Sequence, residues 1–326
     1  MMQEPSVNES AAKKIWLLVD QWLEIHQNES FNLETICRQL EITQRENRNS
    51  VARKLAYEVH RGKLEKSNRI YRSIDLTLVN IDWVNAIESE LLPIRWPVGH
   101  EDGSCFSFNE NVHISPGDII VIAGGSNFGK TTFCLNLLWD NMDDFPVTVM
   151  GNEYQANKFK RRVSHMTWAE PINEHGAPKF ELIERYEGWK DIIRPDNINI
   201  IDWINLEDKF YLIGSILQGI KSKLRKGIAV VALQKKSGTE LGTGGGFSQH
   251  LASLYLSMDY ERITVTKCKE WNGTNPNGMM DSFTIVDSGT QFHDIHRIKQ
   301  CPQCHGYAAI KHNTRCECAG KGFIDA

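Results

Sequence analysis

The hydrophobic pattern divides the chain into regions with different predicted secondary structure. Across residues 10–73, apolar residues recur at helical spacing in three segments, the last over 46–60, and two short strands follow within 63–72. Residues 74–112 show no clean period and contain several prolines and glycines. Over 113–295, short continuous apolar runs alternate with amphipathic helical segments. This pattern predicts an α/β domain with a mainly parallel sheet, preceded by a small helical domain and a linker that packs on the larger domain. Trp83 and Trp96 are the expected packing contacts of that linker.

Four apolar runs predict the buried strands of the sheet, at 119–122, 145–150, 197–203 and 228–233. Parallel strands end at the same edge of a sheet, and open α/β sheets bind ligands there. Polar residues that follow these runs are therefore expected to lie close together.

The loop after the first strand carries the pattern G-x-x-x-x-G-K-[ST] and opens an apolar helix. Such a loop holds phosphate through backbone N–H groups and the helix N-terminus. In this role Lys130 contacts the β- and γ-phosphates and the Thr131 hydroxyl coordinates Mg²⁺. The predicted nucleotide-binding residues of this segment are Gly124, Gly125, Ser126, Asn127, Phe128, Gly129, Lys130, Thr131 and Thr132.

Each of the next three strands ends in a polar residue suited to the same chemistry. Glu153 follows the second strand, where it can orient an attacking water. Asp202 ends the third strand and is placed to hold Mg²⁺, although a helix-capping aspartate is an alternative. Gln234 follows the fourth strand, and its amide can sense phosphate because it both donates and accepts. The basic residues 158–162 after Glu153 are expected to form a solvated face.

Composition and charge limit the classes of partner. The chain has 326 residues and a net charge of -4, with 41% hydrophobic and 24% charged residues, as in ordinary globular proteins. A uniformly basic nucleic-acid coat is excluded, so any DNA-binding surface must be local. No apolar run is long enough for a bilayer and the first residues lack a signal-peptide core, so we expect a cytoplasmic protein without membrane contact.

One local basic region lies in the small domain. Between Arg45 and Arg72 there are nine lysines and arginines against three glutamates, and Arg48, Asn49, Arg53 and Lys54 are predicted to face outward. Three helices followed by a basic hairpin resemble a winged helix-turn-helix. That resemblance implies duplex DNA as a partner, with the third helix in the major groove and the hairpin on the backbone. A protein-binding winged helix with a solvated basic face is the alternative.

The segment 296–326 contains four of the eight cysteines, in a C-x-x-C and a C-x-C pair. Cys301, Cys304, Cys316 and Cys318 can converge on tetrahedral Zn²⁺, and a segment this small needs such a ligand to fold. Their flanking residues resemble zinc-ribbon knuckles. Because C-x-C is tighter than usual, His312 is an alternative ligand, and a redox dithiol or free thiols are the alternatives to zinc.

The order of these motifs over residues 115–292 resembles the RecA-like ATPase core, closest to the DnaB-type replicative helicases and their RadA and KaiC relatives. The resemblance implies Mg-ATP hydrolysis, with Glu153 as catalytic glutamate, Asp202 as Walker B acid and Gln234 as sensor. It also implies that the loop at 235–248 contacts single-stranded DNA, through Lys235 and Lys236. An ordinary flexible surface loop is the alternative.

The resemblance further implies that Lys267 and Lys269 act on the γ-phosphate of a neighbouring subunit, which requires a homo-oligomeric ring or filament. Lys269 stands where these helicases carry arginine, so the bidentate geometry of an arginine finger is absent. The chain also lacks the helical N-terminal domain of DnaB-type helicases.

The function implied is a DNA-dependent ATPase, helicase-, loader- or recombinase-like, in DNA replication or recombination. The unusual domain combination suggests a phage or other mobile element. Two alternatives are an ATP-controlled DNA-binding regulator without translocation and an interaction protein that keeps ATP as a structural ligand.

Overall fold

The computed structural model describes residues 9–26, 29–74, 81–85, 91–152, 154–206, 209–236, 238–304, 316–318 and 321–326. The chain forms two compact units, Met1–Ala86 and Ile87–Ala326. Among the helices of the described ranges, none combines the length and apolar composition needed to cross a bilayer.

The first unit packs three helices against a three-stranded antiparallel sheet of order β1-β3-β2. Its elements are α1 (Glu9–Ile25), β1 (Ser30–Asn32), α2 (Leu33–Gln39), α3 (Arg45–His60), β2 (Leu64–Ser67) and β3 (Ile70–Ser73). The three predicted helices and the hairpin are present. The segment around Phe31, expected to be only a short extended link, is a third strand paired with β3.

Local sequence accounts for the turns of this unit. The Asn32 side chain accepts the Thr35 N–H at 2.8 Å and so caps the start of α2. Asn68 has a φ of 56°, the left-handed conformation that asparagine tolerates in the tight turn between β2 and β3. The core is formed by Ile15, Val19, Trp22, Phe31, Ile36, Cys37, Val51, Leu55, Leu64 and Tyr71.

The prediction that Lys54 faces solvent is wrong. Lys54 is only 4% exposed, and its ammonium lies 2.8 Å from Asp20 and 2.7 Å from Glu58. It points toward α1 because a buried cation is tolerated where carboxylates compensate it. Arg48 pairs with Glu34 and is half-buried. The basic surface of this unit is therefore smaller than the count of lysines and arginines indicates.

The second unit contains a ten-stranded sheet of order β13-β12-β11-β10-β9-β4-β8-β7-β5-β6. Its strands are β4 (Ile119–Gly124), β5 (Val147–Gly151), β6 (Phe180–Glu184), β7 (Ile198–Ile204), β8 (Ile228–Gln234), β9 (Leu254–Asp259), β10 (Arg262–Cys268), β11 (Met280–Val286), β12 (Gln291–Gln300) and β13 (Phe323–Asp325). Its helices are α4 (Lys130–Asn141), α5 (Ala156–Val163), α6 (Ile213–Lys221) and α7 (Gly246–His250). The six strands from β9 to β6 are parallel, and the rest extend the sheet antiparallel. This confirms the predicted α/β class.

Both faces of the parallel sheet are covered, which explains the continuous apolar runs. Ile120 and Ile122 of β4 belong to the hydrophobic core that includes α4, whereas Ile119 and Val121 belong to the core that includes α6. Residues from the predicted linker join the first of these cores, with Trp96, Phe106 and Phe108 buried. Trp83 does not act as a packing anchor, because it is 77% exposed.

We predict that Lys54→Gln destabilises the first unit by about 3 kcal/mol, because it leaves the buried Glu58 carboxylate without its cation. The measurement is urea unfolding of the full chain, followed by hydrogen exchange in peptides that cover α3. The matched control is Arg53→Gln, one residue earlier and exposed, which should shift unfolding little. Equal losses in the two variants would contradict the assigned role of the buried ion pairs.

Candidate functional site

The phosphate-type loop connects β4 to α4 in the predicted strand–loop–helix arrangement. Gly129 has a φ of 97°, and a Cβ there would lie 2.7 Å from the Ile285 Cδ1, so only glycine fits this turn. The Lys130 ammonium donates to the carbonyls of Gly124 at 2.9 Å and Gly125 at 2.7 Å. The lysine is thereby held over its own loop, and phosphate oxygens would compete with these carbonyls for it.

Asp202 lies within β7 and is 4% exposed, next to the start of α4. Its carboxylate accepts a hydrogen bond from the Tyr154 phenol at 2.8 Å, and the Thr131 hydroxyl lies near enough to favour the charged carboxylate. Burial raises the pKa of Asp202, while these two hydroxyl groups and the charges of Lys130 and Arg162 oppose the rise. Because Asp202 lies within β7 and not directly before a helix, the helix-capping alternative is wrong.

The same carboxylate fits a magnesium site. Its Oδ1 atom is buried without a hydrogen-bond partner among the residues that the structure describes. A hydroxyl and a carboxylate oxygen at the start of a phosphate-binding helix are the oxygen ligands that Mg²⁺ takes beside nucleotide phosphates. Thr131 and Asp202 are therefore the residues that would hold the ion.

Tyr154 is a site residue that sequence reasoning missed. A Cβ on Gly151 would lie 2.4 Å from the Asp202 carbonyl oxygen and 2.6 Å from the Tyr154 ring. The glycine at the end of β5 thus lets the tyrosine approach β7 and bond Asp202. No local pattern distinguishes Tyr154, because its partner is 48 residues away. Glu153, the predicted catalytic residue between Asn152 and Tyr154, lies outside the described residues.

Gln234 lies beside the loop, at the end of its strand. It is the last residue of β8 and lies opposite Gly124 in the parallel register. Its backbone carbonyl accepts from the Thr243 N–H at 2.7 Å and from the Thr243 hydroxyl at 2.9 Å, which ties the following loop back to the strand end. The structure therefore gathers Lys130, Thr131, Asp202 and Gln234 at one edge of the sheet.

The prediction that Lys235 contacts DNA phosphates is wrong. Lys235 is buried, and its ammonium lies 2.8 Å from both the Asp259 carboxylate and the Ser257 hydroxyl. Its backbone N–H donates to the Gly124 carbonyl at 3.2 Å. The residue thus fastens the end of β8 to the adjoining strands. Lys236, the other predicted contact, is exposed.

Lys267 and Lys269 do not reach the phosphate loop of their own chain. Lys267 pairs with Tyr255, which pairs with Val121, so it lies about 10 Å before the end of β4 along the strand direction. Its ammonium donates to the Gln249 carbonyl at 2.6 Å, at the end of α7. Burial and then the charge of Lys269 lower the pKa of Lys267. Lys269 is exposed, still further from the loop.

The solvated basic face predicted for α5 is only partly present. Lys158, Lys160 and Arg161 are exposed, but Arg162 is half-buried. Its Nη2 donates to the Gly289 carbonyl at 3.1 Å. The same carbonyl accepts the Thr132 hydroxyl at 2.8 Å, so the guanidinium lies at the first turn of α4.

A second candidate site is formed by the four predicted cysteine ligands. The sulfur atoms of Cys301, Cys304, Cys316 and Cys318 all lie within 4.8 Å of one another, and no disulfide joins any of the four. Neighbouring sulfurs are 3.3 to 3.5 Å apart. Tetrahedral zinc with Zn–S bonds of about 2.3 Å spaces its sulfurs at about 3.8 Å, so the cluster fits this ion with a small expansion. His312, the alternative ligand, lies outside the described residues.

This cluster is attached to the edge of the large sheet. The Cys301 N–H donates to the Gly322 carbonyl at 2.9 Å, directly before β13 pairs with β12. The Arg262 guanidinium lies 4.2 Å from the ring centre of Phe323. A metal ion held by the cysteines would therefore fix a three-residue edge strand that has little core of its own.

No protein-family model matches the chain. No curated protein matches it either. Among solved structures, the chain is similar to a KaiC-like protein from the hyperthermophilic archaeon Pyrococcus horikoshii, with 16% sequence identity and a TM-score of 0.43. That comparison covers 62% of this chain and all of the archaeal one. At this level the similarity identifies neither an activity nor a substrate.

We predict that the purified chain contains one zinc ion, detected by elemental analysis, and that Cys304→Ser lowers zinc occupancy and speeds hydrogen exchange in β12 and β13. The reason is that the cysteines converge on one point beside this strand pair. Cys105→Ser is the matched control, because Cys105 is an exposed thiol outside the cluster. A metal-free wild-type chain with unchanged exchange after chelation would exclude the zinc assignment.

Proposed function

We propose that this chain is a Mg-ATP hydrolase whose activity depends on DNA. The observation that carries the ATP part is the buried Asp202 carboxylate, which lies near the Thr131 hydroxyl beside the loop that holds Lys130. Phosphate loop, hydroxyl, carboxylate and strand-end amide are the components that phosphoryl transfer requires, because its catalysis rests on positioning and charge stabilisation.

The proposed mechanism assigns one task to each group. The Lys130 ammonium releases the Gly124 and Gly125 carbonyls and binds phosphate oxygens instead. Its positive charge then stabilises the bound substrate. Thr131 and Asp202 would hold Mg²⁺, and the ion would supply positive charge to neutralise the charge that develops on the phosphates. Glu153 orients the water that attacks the γ-phosphate, and Gln234 responds to the presence of that phosphate.

Gln234 also links this site to the proposed single-strand contact. Its carbonyl holds Thr243, so a shift of the strand end moves the loop that carries exposed Lys236. A lysine on a glycine-rich loop suits a nucleic-acid backbone. Duplex DNA would meet the first unit, where Arg45, Arg53, Arg61, Lys63 and Arg69 remain exposed.

These features together support a helicase-, loader- or recombinase-like role in DNA replication or recombination, and the domain combination favours a phage or other mobile element. An ATP-controlled DNA-binding regulator would use the same basic face of the first unit. The regulator differs from the helicase-like role in the DNA that controls ATP turnover, which would be duplex and not single-stranded DNA.

A homo-oligomer, ring or filament, is part of this proposal. Lys269 is exposed and lies toward the end of the sheet opposite the phosphate loop. Any contact between this lysine and a γ-phosphate therefore requires the site of a second copy.

We predict that single-stranded DNA raises steady-state ATP turnover and that Glu153→Gln lowers it by at least about a hundredfold, because the water loses its base. Turnover is measured without DNA, with single strands and with duplex. Lys158→Gln, an exposed residue on α5, is the matched control and should hydrolyse ATP normally.

Stimulation by duplex alone would favour the regulator. Slow hydrolysis that is indifferent to both DNA and Glu153→Gln would overturn the ATPase proposal.

We also predict that Lys269→Ala abolishes ATP hydrolysis at the site of the neighbouring subunit and not at the site of the subunit that carries the substitution. Mixtures of Lys269→Ala with Asp202→Asn should recover activity, since mixed interfaces pair an intact cation with an intact site. A mixture that stays as inactive as each variant alone would argue against action between subunits.

A further inference from the structure

Arg162 is the one charged side chain of α5 that turns away from solvent, and it has no role in the proposed mechanism of ATP hydrolysis. We propose that Arg162 is a second phosphate-binding cation of the site, which the same chain supplies to the γ-phosphate of ATP. This inference rests on the proposed ATP binding and adds a residue that neither the loop motif nor the strand-end pattern contains.

The anchor of Arg162 places it on the phosphate side. Its Nη2 shares the Gly289 carbonyl with the Thr132 hydroxyl, at 3.1 and 2.8 Å. Thr132 directly follows Thr131 and Lys130 in the first turn of α4. One bond therefore fixes the guanidinium to the helix end that the phosphates would approach.

The rest of the guanidinium has an unused donor. The Nε–H of Arg162 is buried without a hydrogen-bond partner within the described part of the chain. A buried donor without a partner costs about 1–3 kcal/mol, so such groups usually have a ligand. Asp202 Oδ1 and Asn152 Oδ1, at the ends of neighbouring strands, are acceptors in the same condition. Unused donors and acceptors are thus present on α5 and at these strand ends, where a nucleotide and its metal ion would supply partners.

Charge supports the same location. Arg162 and Lys130 both act electrostatically on Asp202 and on the buried Cys134 thiol, so the two cations lie near one small volume. ATP would bring several negative charges into this volume. The planar fork of arginine can bond two oxygens of one phosphate group, which a lysine does not do.

The anchor itself is held in a demanding backbone conformation. Asp287, Ser288 and Gly289 have φ angles of 46°, 58° and 83°, three successive left-handed residues. The Asp287 carboxylate lies 3.0 Å from His165 Nδ1, one turn beyond Arg162. Strained turns of this kind persist where the surroundings fix them and often occur at functional sites. Here the turn presents a carbonyl that aims the arginine.

The test compares the full-length wild type with Arg162→Gln, Arg162→Lys and the exposed neighbour Arg161→Gln. Equilibrium binding of fluorescent ATP and ADP analogues is measured with Mg²⁺, together with thermal unfolding. We expect Arg162→Gln to weaken ATP binding by about tenfold or more, with a much smaller effect on ADP, because a charged hydrogen bond to the γ-phosphate is lost. Arg162→Lys should be intermediate, and Arg161→Gln should match the wild type.

Each outcome decides between the two proposals. A wild type that binds neither analogue overturns the proposed function itself. A wild type that binds, with Arg162→Gln and Arg162→Lys affecting ATP and ADP equally or only lowering the unfolding temperature, overturns the phosphate-binding role of Arg162 and makes it a structural support of the turn at Gly289.

Discussion

The burial of the parallel sheet on both faces is the constraint on which the second unit depends. With apolar side chains packed above and below β4, β7 and β8, the ligand-binding polar groups are confined to the strand ends. Because parallel strands end together, Gly124, Asp202 and Gln234 meet at one edge although they are far apart in the chain. Glycines at 129 and 151 then allow the close approaches that this crowded edge requires.

The site balances a buried carboxylate against cations held on backbone carbonyls. The Asp202 carboxylate accepts a hydrogen bond from Tyr154, while Lys130 donates to carbonyls of its own loop and Arg162 donates to the carbonyl of Gly289. Both cations therefore already lie at the site, hydrogen-bonded to backbone carbonyls. A charged phosphate oxygen is a stronger acceptor than a carbonyl oxygen. Little reorganisation is then needed when the nucleotide binds, which is how preorganised sites stabilise charge.

Basic residues illustrate the difference between a charge count and a charged surface. Lys54 and Lys235 lie inside their respective units, each held by carboxylates. The Lys267 ammonium donates hydrogen bonds to backbone carbonyls at the end of a helix. The cations that remain exposed include Lys236 and Lys269 in the second unit and Arg53 in the first. Any nucleic-acid contact must therefore be local, as the slightly negative net charge also requires.

The sequence by itself determined the features that are local in the chain. The loop 124–131, the apolar runs of β4, β5, β7 and β8 and the spacing of the four cysteines depend on neighbouring residues, and the structure shows them where the patterns indicate. Only the tertiary structure decided which side chains are buried and what they contact. Tyr154 reaches Asp202, Arg162 reaches Gly289 and Lys235 reaches Asp259 across distant segments. Sequence periodicity carries no information about such partners, because the energy of a buried charge is set by groups that folding brings from elsewhere in the chain.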